Sequence, residues 1–196
     1  MLSRTIIENI LILLGESFWV WSCYSQLSKL IRTKDKRGLS SVNMTLNTAA
    51  NMAWVVYFAS NKLWVGFFSN TLMFFMTGLM VILLVSTKKQ RYSELLSVLL
   101  LGPFTAYLIV VYPELAGWVG VIFNIIAATP WLVHVLKTKK TSGISERALF
   151  LALGAMLSTL IYGLLIGSGP LVVGTIIGLL YEATIMSYYY RYRHSH

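Results

Sequence analysis

Four side chains with polar or aromatic groups recur at helical spacing between residues 43 and 54. Asn43, Asn47 and Asn51 are four residues apart and Trp54 follows three residues later, so all four fall within an arc of about 80° on a helix. An asparagine amide both donates and accepts hydrogen bonds, and an indole ring can lie flat against a sugar ring or another flat ligand. The stripe predicts either the wall of a polar cavity or amides that hydrogen-bond neighbouring helices together.

Two carboxyl groups, Glu16 and Glu182, lie within long apolar segments. A charge at the centre of a bilayer costs about 2.5 to 3.5 kcal/mol on insertion scales, so each carboxyl is expected to face a cavity in its neutral form. Both are therefore candidate proton carriers for coupled transport. The alternatives are a protonated glutamate bonded to a neighbouring helix, or one that reaches water near a helix end.

Other kinds of chemistry find no support in the residue pattern. No cluster of His, Cys and carboxylate residues has metal-ligand spacing, and no glycine-rich phosphate loop or nucleophile motif occurs. We therefore expect no metal, no cofactor and no catalytic residue, so that the protein is not an enzyme. The single cysteine, Cys23, is expected to pack within a helix.

The elements that carry these residues are membrane-spanning helices. Of 196 residues, 57% are hydrophobic and 12% charged, with a mean hydropathy of +0.70, which is typical of an all-α integral membrane protein rather than a soluble enzyme, a nucleic-acid-binding protein or a secreted disulfide scaffold. A span takes about 20 residues, which leaves no room for a soluble domain. Seven spans are predicted, at residues 6–31, 42–60, 63–86, 95–112, 115–137, 145–166 and 170–190.

The basic residues predict the orientation of the spans. Fourteen Lys and Arg residues fall on one side and two, Arg4 and Lys62, on the other, alternating with every span. The positive-inside rule then places the N-terminus outside and the C-terminus in the cytoplasm of a plasma or inner membrane. This asymmetry explains nearly all of the net charge of +9, so the expected partner is the lipid bilayer and not nucleic acid.

The chain contains an internal repeat at a shift of 105 residues. Thr33-Lys34 falls on Thr138-Lys139, and Gly38-Leu39-Ser40 on Gly143-Ile144-Ser145. The repeat divides the chain into a three-helix repeat at 1–90, a linker helix at 91–113, and a second three-helix repeat with a short tail at 114–196. One linker span gives both repeats the same direction, and parallel repeats of this kind place a substrate at their interface near the midplane.

These features resemble the SWEET and PQ-loop family of small transporters, whose 3+1+3 layout the spans reproduce. Members carry a Pro-Gln pair near the end of the first helix of each half, before a basic Thr-Lys turn. Here the first half keeps Gln26 after Ser25, and the second half keeps Pro130 before Trp131. Gln26 and Pro130, which are the residues kept from this pair, are the predicted hinge positions. At Pro130 the proline removes a backbone hydrogen bond from the helix, whereas Ser25 replaces the matching proline and should leave the first helix stiffer.

The resemblance also implies a central pocket. Trp54 and Asn70 match the family's pocket positions on the second and third helices by their sixteen-residue separation. The repeat places Thr159 opposite Trp54 and Thr175 opposite Asn70, so the pocket is expected to be asymmetric. The predicted solute-binding residues are Trp54, Asn70, Asn51, Asn47, Thr159 and Thr175.

We therefore interpret the chain as a transporter that moves a small polar solute, with a sugar as the first candidate, by alternating access between the two repeats. One alternative is a proton-coupled PQ-loop carrier of amino acids or nucleoside-like vitamins. A sorting receptor resembling the KDEL receptor is disfavoured, because it would need a basic cluster in the cavity. Assembly into a homo-oligomer stays open.

Overall fold

Six helices account for nearly all of the residues described by the computed structural model, which are 4–36, 39, 41–85, 115–138, 141 and 143–192. Each lies within two residues of a predicted span, and the predicted linker span at 95–112 lies outside the described residues. The helices are α1 (Arg4–Thr33), α2 (Ser41–Ser60), α3 (Trp64–Val85), α4 (Ala116–Thr138), α5 (Glu146–Ile166) and α6 (Gly169–Tyr192).

Four of the six described helices have the length and composition of membrane spans. Among the described residues, α1, α3, α5 and α6 are long and apolar enough to cross a bilayer, and α4 has a shorter apolar stretch at Ala116–Thr129. Their exposed surfaces carry large apolar side chains such as Phe68, Phe75 and Leu180, which lipid can cover. The chain is an integral membrane protein.

The six helices pack in one pattern that occurs twice. Within the first half, α3 contacts both α1 and α2, and within the second half α6 contacts both α4 and α5. Between the halves, α1 packs on α5 and α2 packs on α4. The first helix of each half thus packs on the second helix of the other.

Two tight connections mark one end of the bundle, which we call the turn end. After α2, the chain reverses through Lys62 (φ 57°), and the Leu63 amide donates to the Phe58 carbonyl at 2.8 Å. After α5, Gly167 adopts a left-handed conformation (φ 71°) that favours glycine, and the Ser168 amide donates to the Gly163 carbonyl at 2.9 Å. The opposite end carries most of the basic residues of the described chain, such as Lys29, Arg32 and Arg191, and is called the basic end.

The apolar core differs between the two ends. At the turn end a single cluster joins both halves and contains Ile12, Ala53, Trp54, Tyr57, Phe58, Ala116, Val121, Tyr162 and Leu171. Towards the basic end there are two clusters, one for each half. The first is built around Leu27, Leu30, Met44 and Met80, and the second around Val135, Ile144, Leu149 and Ile185.

Candidate functional site

A cavity of about 300 Å³ lies between the two halves and is lined by residues of all six helices. This volume is at the lower end of the range for small-molecule pockets. The cavity brings together nearly all of the predicted site residues, namely Glu16, Gln26, Asn47, Asn51, Trp54, Asn70, Thr159, Thr175 and Glu182. At Pro130 the backbone of α4 continues as helix, and the side chain lies outside the described residues, so the hinge stays a prediction.

Trp54 covers the cavity on the side of the turn end. Its side chain is 8% exposed and its ring meets the Tyr57 ring edge to face, with the centroids 5.5 Å apart. The indole lies directly over Gly120 of α4, where an added Cβ would come within 2.8 Å of the ring. The glycine gives a large aromatic side chain room between α2 and α4.

The repeat produces the corresponding contact in the other half. Thr159 takes the place of Trp54, and Gly15 of α1 takes the place of Gly120. A Cβ added at Gly15 would lie 3.2 Å from the Thr159 hydroxyl oxygen. The backbone arrangement is therefore repeated, whereas the side chain that covers the cavity is an indole in one half and a small hydroxyl in the other.

The asparagines of α2 divide between two roles. The Asn43 amide donates across the interface to the Ala127 carbonyl at 2.9 Å, and Asn47 donates to the Asn43 side-chain oxygen at 3.1 Å. Asn51 donates to the Thr77 hydroxyl at 3.4 Å. Asn43 thus forms a hydrogen bond between helices, which was one of the two alternatives for the stripe. The half-buried Asn47 and Asn51 line the cavity, which was the other alternative.

Asn70 is held by two acceptors on the first half. Its amide nitrogen donates to the Gly66 carbonyl at 2.9 Å and to the Glu16 carboxylate at 3.3 Å, and the Ser69 hydroxyl donates to the same carboxyl oxygen. Both N–H groups of Asn70 are used in this way, so its carbonyl oxygen is the atom that can accept from a solute. Glu16 is 4% exposed and joins α1 to α3.

Glu182 lies in different surroundings. It is 5% exposed and lines the cavity, but its Oε1 is buried and has no hydrogen-bond partner among the described residues. The two predicted carboxyl groups therefore differ: Glu16 is bound to its neighbours, whereas Glu182 has a buried oxygen without a partner among the described residues.

Contacts between the halves lie on both sides of the cavity. Towards the basic end, Gln26 donates to the Gly143 carbonyl at 3.0 Å and accepts from the Ser145 amide at 2.9 Å, and Ser22 donates to the Ala148 carbonyl at 2.8 Å. At the turn end, the Tyr57 and Ser168 hydroxyls lie 2.7 Å apart. These bonds connect the two halves on both sides of the cavity.

The cavity also contains polar residues that the sequence analysis did not select. They include Ser22, Trp19, Asn124 and Tyr181. Trp19 and Asn124 are equivalent by the 105-residue repeat, and Asn124 interrupts an apolar span as Asn70 does. The same search for amides in apolar segments would therefore have found it.

The charged groups of the cavity are carboxyls. Among its described lining residues, Glu16 and Glu182 are acidic and none is Lys, Arg or His. Over the described ranges, no three His, Cys, Asp or Glu side chains come together as a metal site would require. The lining can thus offer hydrogen bonds, an aromatic face and two carboxyl groups to a small solute.

Comparison with known proteins connects this geometry with a family. Residues 114–196 match the sequence model of a family described as "Sugar efflux transporter for intercellular exchange". The whole chain has the fold of a eukaryotic SWEET transporter of solved structure, with 13% sequence identity, a TM-score of 0.71, and coverage of 97% of this chain and 98% of that one. No curated protein sequence matches the chain. The predicted SWEET-like fold is confirmed, and the predicted resemblance to SWEET transporters is confirmed in the sequence of the second half.

Proposed function

We propose that this chain, which has the SWEET fold and a second half matching the sugar efflux family, is a membrane transporter that moves a sugar or a similar small polar solute. The observation that carries the proposal is the cavity between the two halves, where Trp54 offers an aromatic face and Asn70 a free carbonyl oxygen. Hydroxyl groups of a sugar can donate to that oxygen while the ring lies near the indole. Both comparisons support this function over a catalytic one.

Transport would proceed by alternating access. The repeated packing of α1 on α5 and α2 on α4 supports a division into two three-helix units, at 1–90 and 114–196, that rock against each other around the cavity. The contacts of Gln26 and Tyr57 would break in turn at opposite ends. We place the N-terminus outside and the C-terminus in the cytoplasm, because the basic residues lie at the end where α6 finishes.

Uptake into vesicles tests the transport function and its site. Purified protein in liposomes is offered labelled sugars, amino acids and nucleosides, and we expect uptake of a sugar. Trp54→Ala and Asn70→Ala should each lower this uptake by at least about tenfold, since each removes a direct contact with the solute. Phe68→Ala, on the exposed surface of α3, is the control. Normal flux in both cavity variants would contradict the site.

The buried carboxyls favour a second candidate, a proton-coupled carrier of amino acids or nucleoside-like vitamins. A carboxyl in a cavity at membrane depth can bind a proton on one side and release it on the other. Among the described lining residues, the other titratable side chains are Cys23 and Tyr181.

A pH difference across the vesicle separates this candidate from a passive carrier. If transport is coupled, an inward proton gradient should accumulate the solute, and Glu182→Gln or Glu16→Gln should abolish accumulation while leaving exchange of solute between the two sides. A passive carrier equilibrates the solute with or without the gradient. Accumulation that persists in both variants would exclude these glutamates as the proton carriers.

A further inference from the structure

We propose that Glu182 binds the transported solute directly through its free carboxyl oxygen, and that the cavity thereby accepts neutral or cationic hydroxylated solutes and rejects anionic ones. This inference rests on the transport function proposed above and assigns its substrate class. The argument uses the surroundings of Glu182, its contrast with Glu16, and the charges of the cavity lining.

The first observation is an acceptor with no donor. Buried polar atoms in proteins are nearly always hydrogen-bonded, because an unpaired one loses its contact with water without compensation. Glu182 is 5% exposed, and its Oε1 has no partner among the described residues. The Glu182 side chain lines the cavity, so rotation of its carboxyl group would turn this unpaired acceptor towards a solute hydroxyl or amine.

The repeat allows Glu182 to be compared with the equivalent residue of the first half. Its equivalent in the first half is Thr77, whose hydroxyl donates to the Met73 carbonyl at 2.8 Å and accepts from Asn51. The threonine is therefore satisfied within the first half. Glutamate is two bonds longer and carries no such local partner, so the second half presents a carboxyl where the first presents a closed hydrogen bond.

Glu16 shows what a carboxyl with a structural role looks like in the same cavity. It accepts from Ser69 and Asn70, both on α3, and so joins two helices of one half. Glu182 joins nothing in the described residues. Of the two cavity carboxyls, Glu182 is the one left for the solute.

The remaining step concerns charge. The described lining contains two carboxyls and no Lys, Arg or His, so an anionic solute would enter without a cationic partner and next to a carboxyl. A buried anion without a cationic partner is costly whatever the protonation state of Glu182, and repulsion adds to that cost when Glu182 is ionised. A neutral polyol meets no such penalty, and an amine-bearing sugar gains an ion pair when Glu182 is ionised.

Competition experiments on the full-length protein in liposomes test the proposal. The probes are glucose, its amine derivative glucosamine and its carboxylate derivative glucuronate, measured as transported solutes or as inhibitors of the solute that the wild type carries. The wild type should bind glucosamine at least as well as glucose, and glucuronate at least about tenfold more weakly. Glu182→Gln, which keeps an acceptor oxygen but cannot be ionised, should reduce the ratio of glucosamine to glucuronate affinity at least about tenfold. Glu182→Met, which has no acceptor oxygen, should in addition raise the KM for the neutral sugar about tenfold.

Two further variants keep the result interpretable. Glu8→Gln removes a carboxyl that pairs with Arg4 outside the cavity, and it should leave both KM and the affinity ratio unchanged. Glu182→Met preserves length without hydrogen bonding and replaces the glutamine variant if that one does not fold, as judged by gel filtration and thermal unfolding. A folded Glu182 variant with KM and affinity ratio within twofold of the wild type overturns the proposal. Absence of sugar transport in the wild type itself would overturn the proposed function instead, and this inference with it.

Discussion

At the scale of single residues, the partner of a polar side chain decides what that side chain can do. Asn43 and Asn47 lie one turn apart on α2, yet Asn43 donates to a backbone carbonyl of α4 and Asn47 donates only to Asn43. The same holds for the two glutamates: Glu16 is bound by α3, and Glu182 has an oxygen without a partner in the described part of the chain. Residue type alone does not distinguish structural groups from binding groups here.

Glu16 should act by holding Asn70 in place. Glu16→Ala removes one of the two acceptors of the half-buried Ser69 hydroxyl and one of the two acceptors of the Asn70 amide. We expect this to cost about 1–3 kcal/mol of stability and to weaken sugar binding by freeing the amide to rotate. Glu16→Gln retains an acceptor oxygen and should restore most of both. Thermal unfolding and uptake measured on the two variants check this. Equal losses of stability and uptake in the two variants would mean that the ionisable carboxyl group of Glu16 is required, and not merely an acceptor oxygen at that position.

The candidate site could be predicted in part from the sequence. Trp54, Asn70 and the α2 asparagines stand out because polar groups in an apolar span are rare and need a reason. Their partners could not be predicted, because Ala127, Thr77 and Ser69 come from other helices or carry no signal of their own. The different hydrogen bonding of Glu16 and Glu182 could not be predicted for the same reason, because the partners of Glu16 lie on another helix.

At the scale of helices, glycines set how closely α2 approaches α4 and how closely α1 approaches α5. The α2–α4 contact places the Trp54 indole on Gly120, and the α1–α5 contact places Thr159 on Gly15. Helix bounds were predictable to within two residues because bilayer thickness fixes the length of a span. The pairs of helices that contact each other were not predictable, because an apolar surface packs against lipid as well as against another helix.

Gly120→Ala should displace Trp54 from the cavity. The added methyl would come within 2.8 Å of the indole, and relief of such overpacking typically costs about 1–3 kcal/mol. We expect sugar uptake to fall at least fivefold, with a lower thermal unfolding temperature. Gly78→Ala is the matched control, because its nearest neighbour would be 4.0 Å away, and it should leave uptake unchanged. Unimpaired uptake in Gly120→Ala would show that Trp54 need not stay in place.

At the scale of the whole molecule, the two ends close in different ways. The turn end is closed by one apolar cluster shared between the halves and by the Tyr57–Ser168 hydrogen bond. Towards the basic end each half keeps its own cluster, and polar bonds from Ser22 and Gln26 connect them. Opening the turn end divides an apolar core, whereas opening the basic end mainly breaks hydrogen bonds.

The single cysteine offers a direct measure of this opening. Cys23 lines the cavity one turn before Gln26, so its alkylation by a membrane-impermeant maleimide reports access from whichever side the reagent is applied. Gln26→Leu should speed labelling from the basic end by at least threefold, and Tyr57→Phe should speed labelling from the turn end. Labelling rates that stay at the wild-type level from both sides would show that these bonds do not keep the cavity closed.

The unequal closure of the two ends has a kinetic consequence. A carrier without an energy source must have the same ratio of Vmax to KM in both directions, whatever its structure. If the conformation open at the basic end has the lower free energy, most of the empty protein is in that conformation. Transport from the basic end then has the lower KM and the lower Vmax. Transport from the turn end has the higher KM and the higher Vmax.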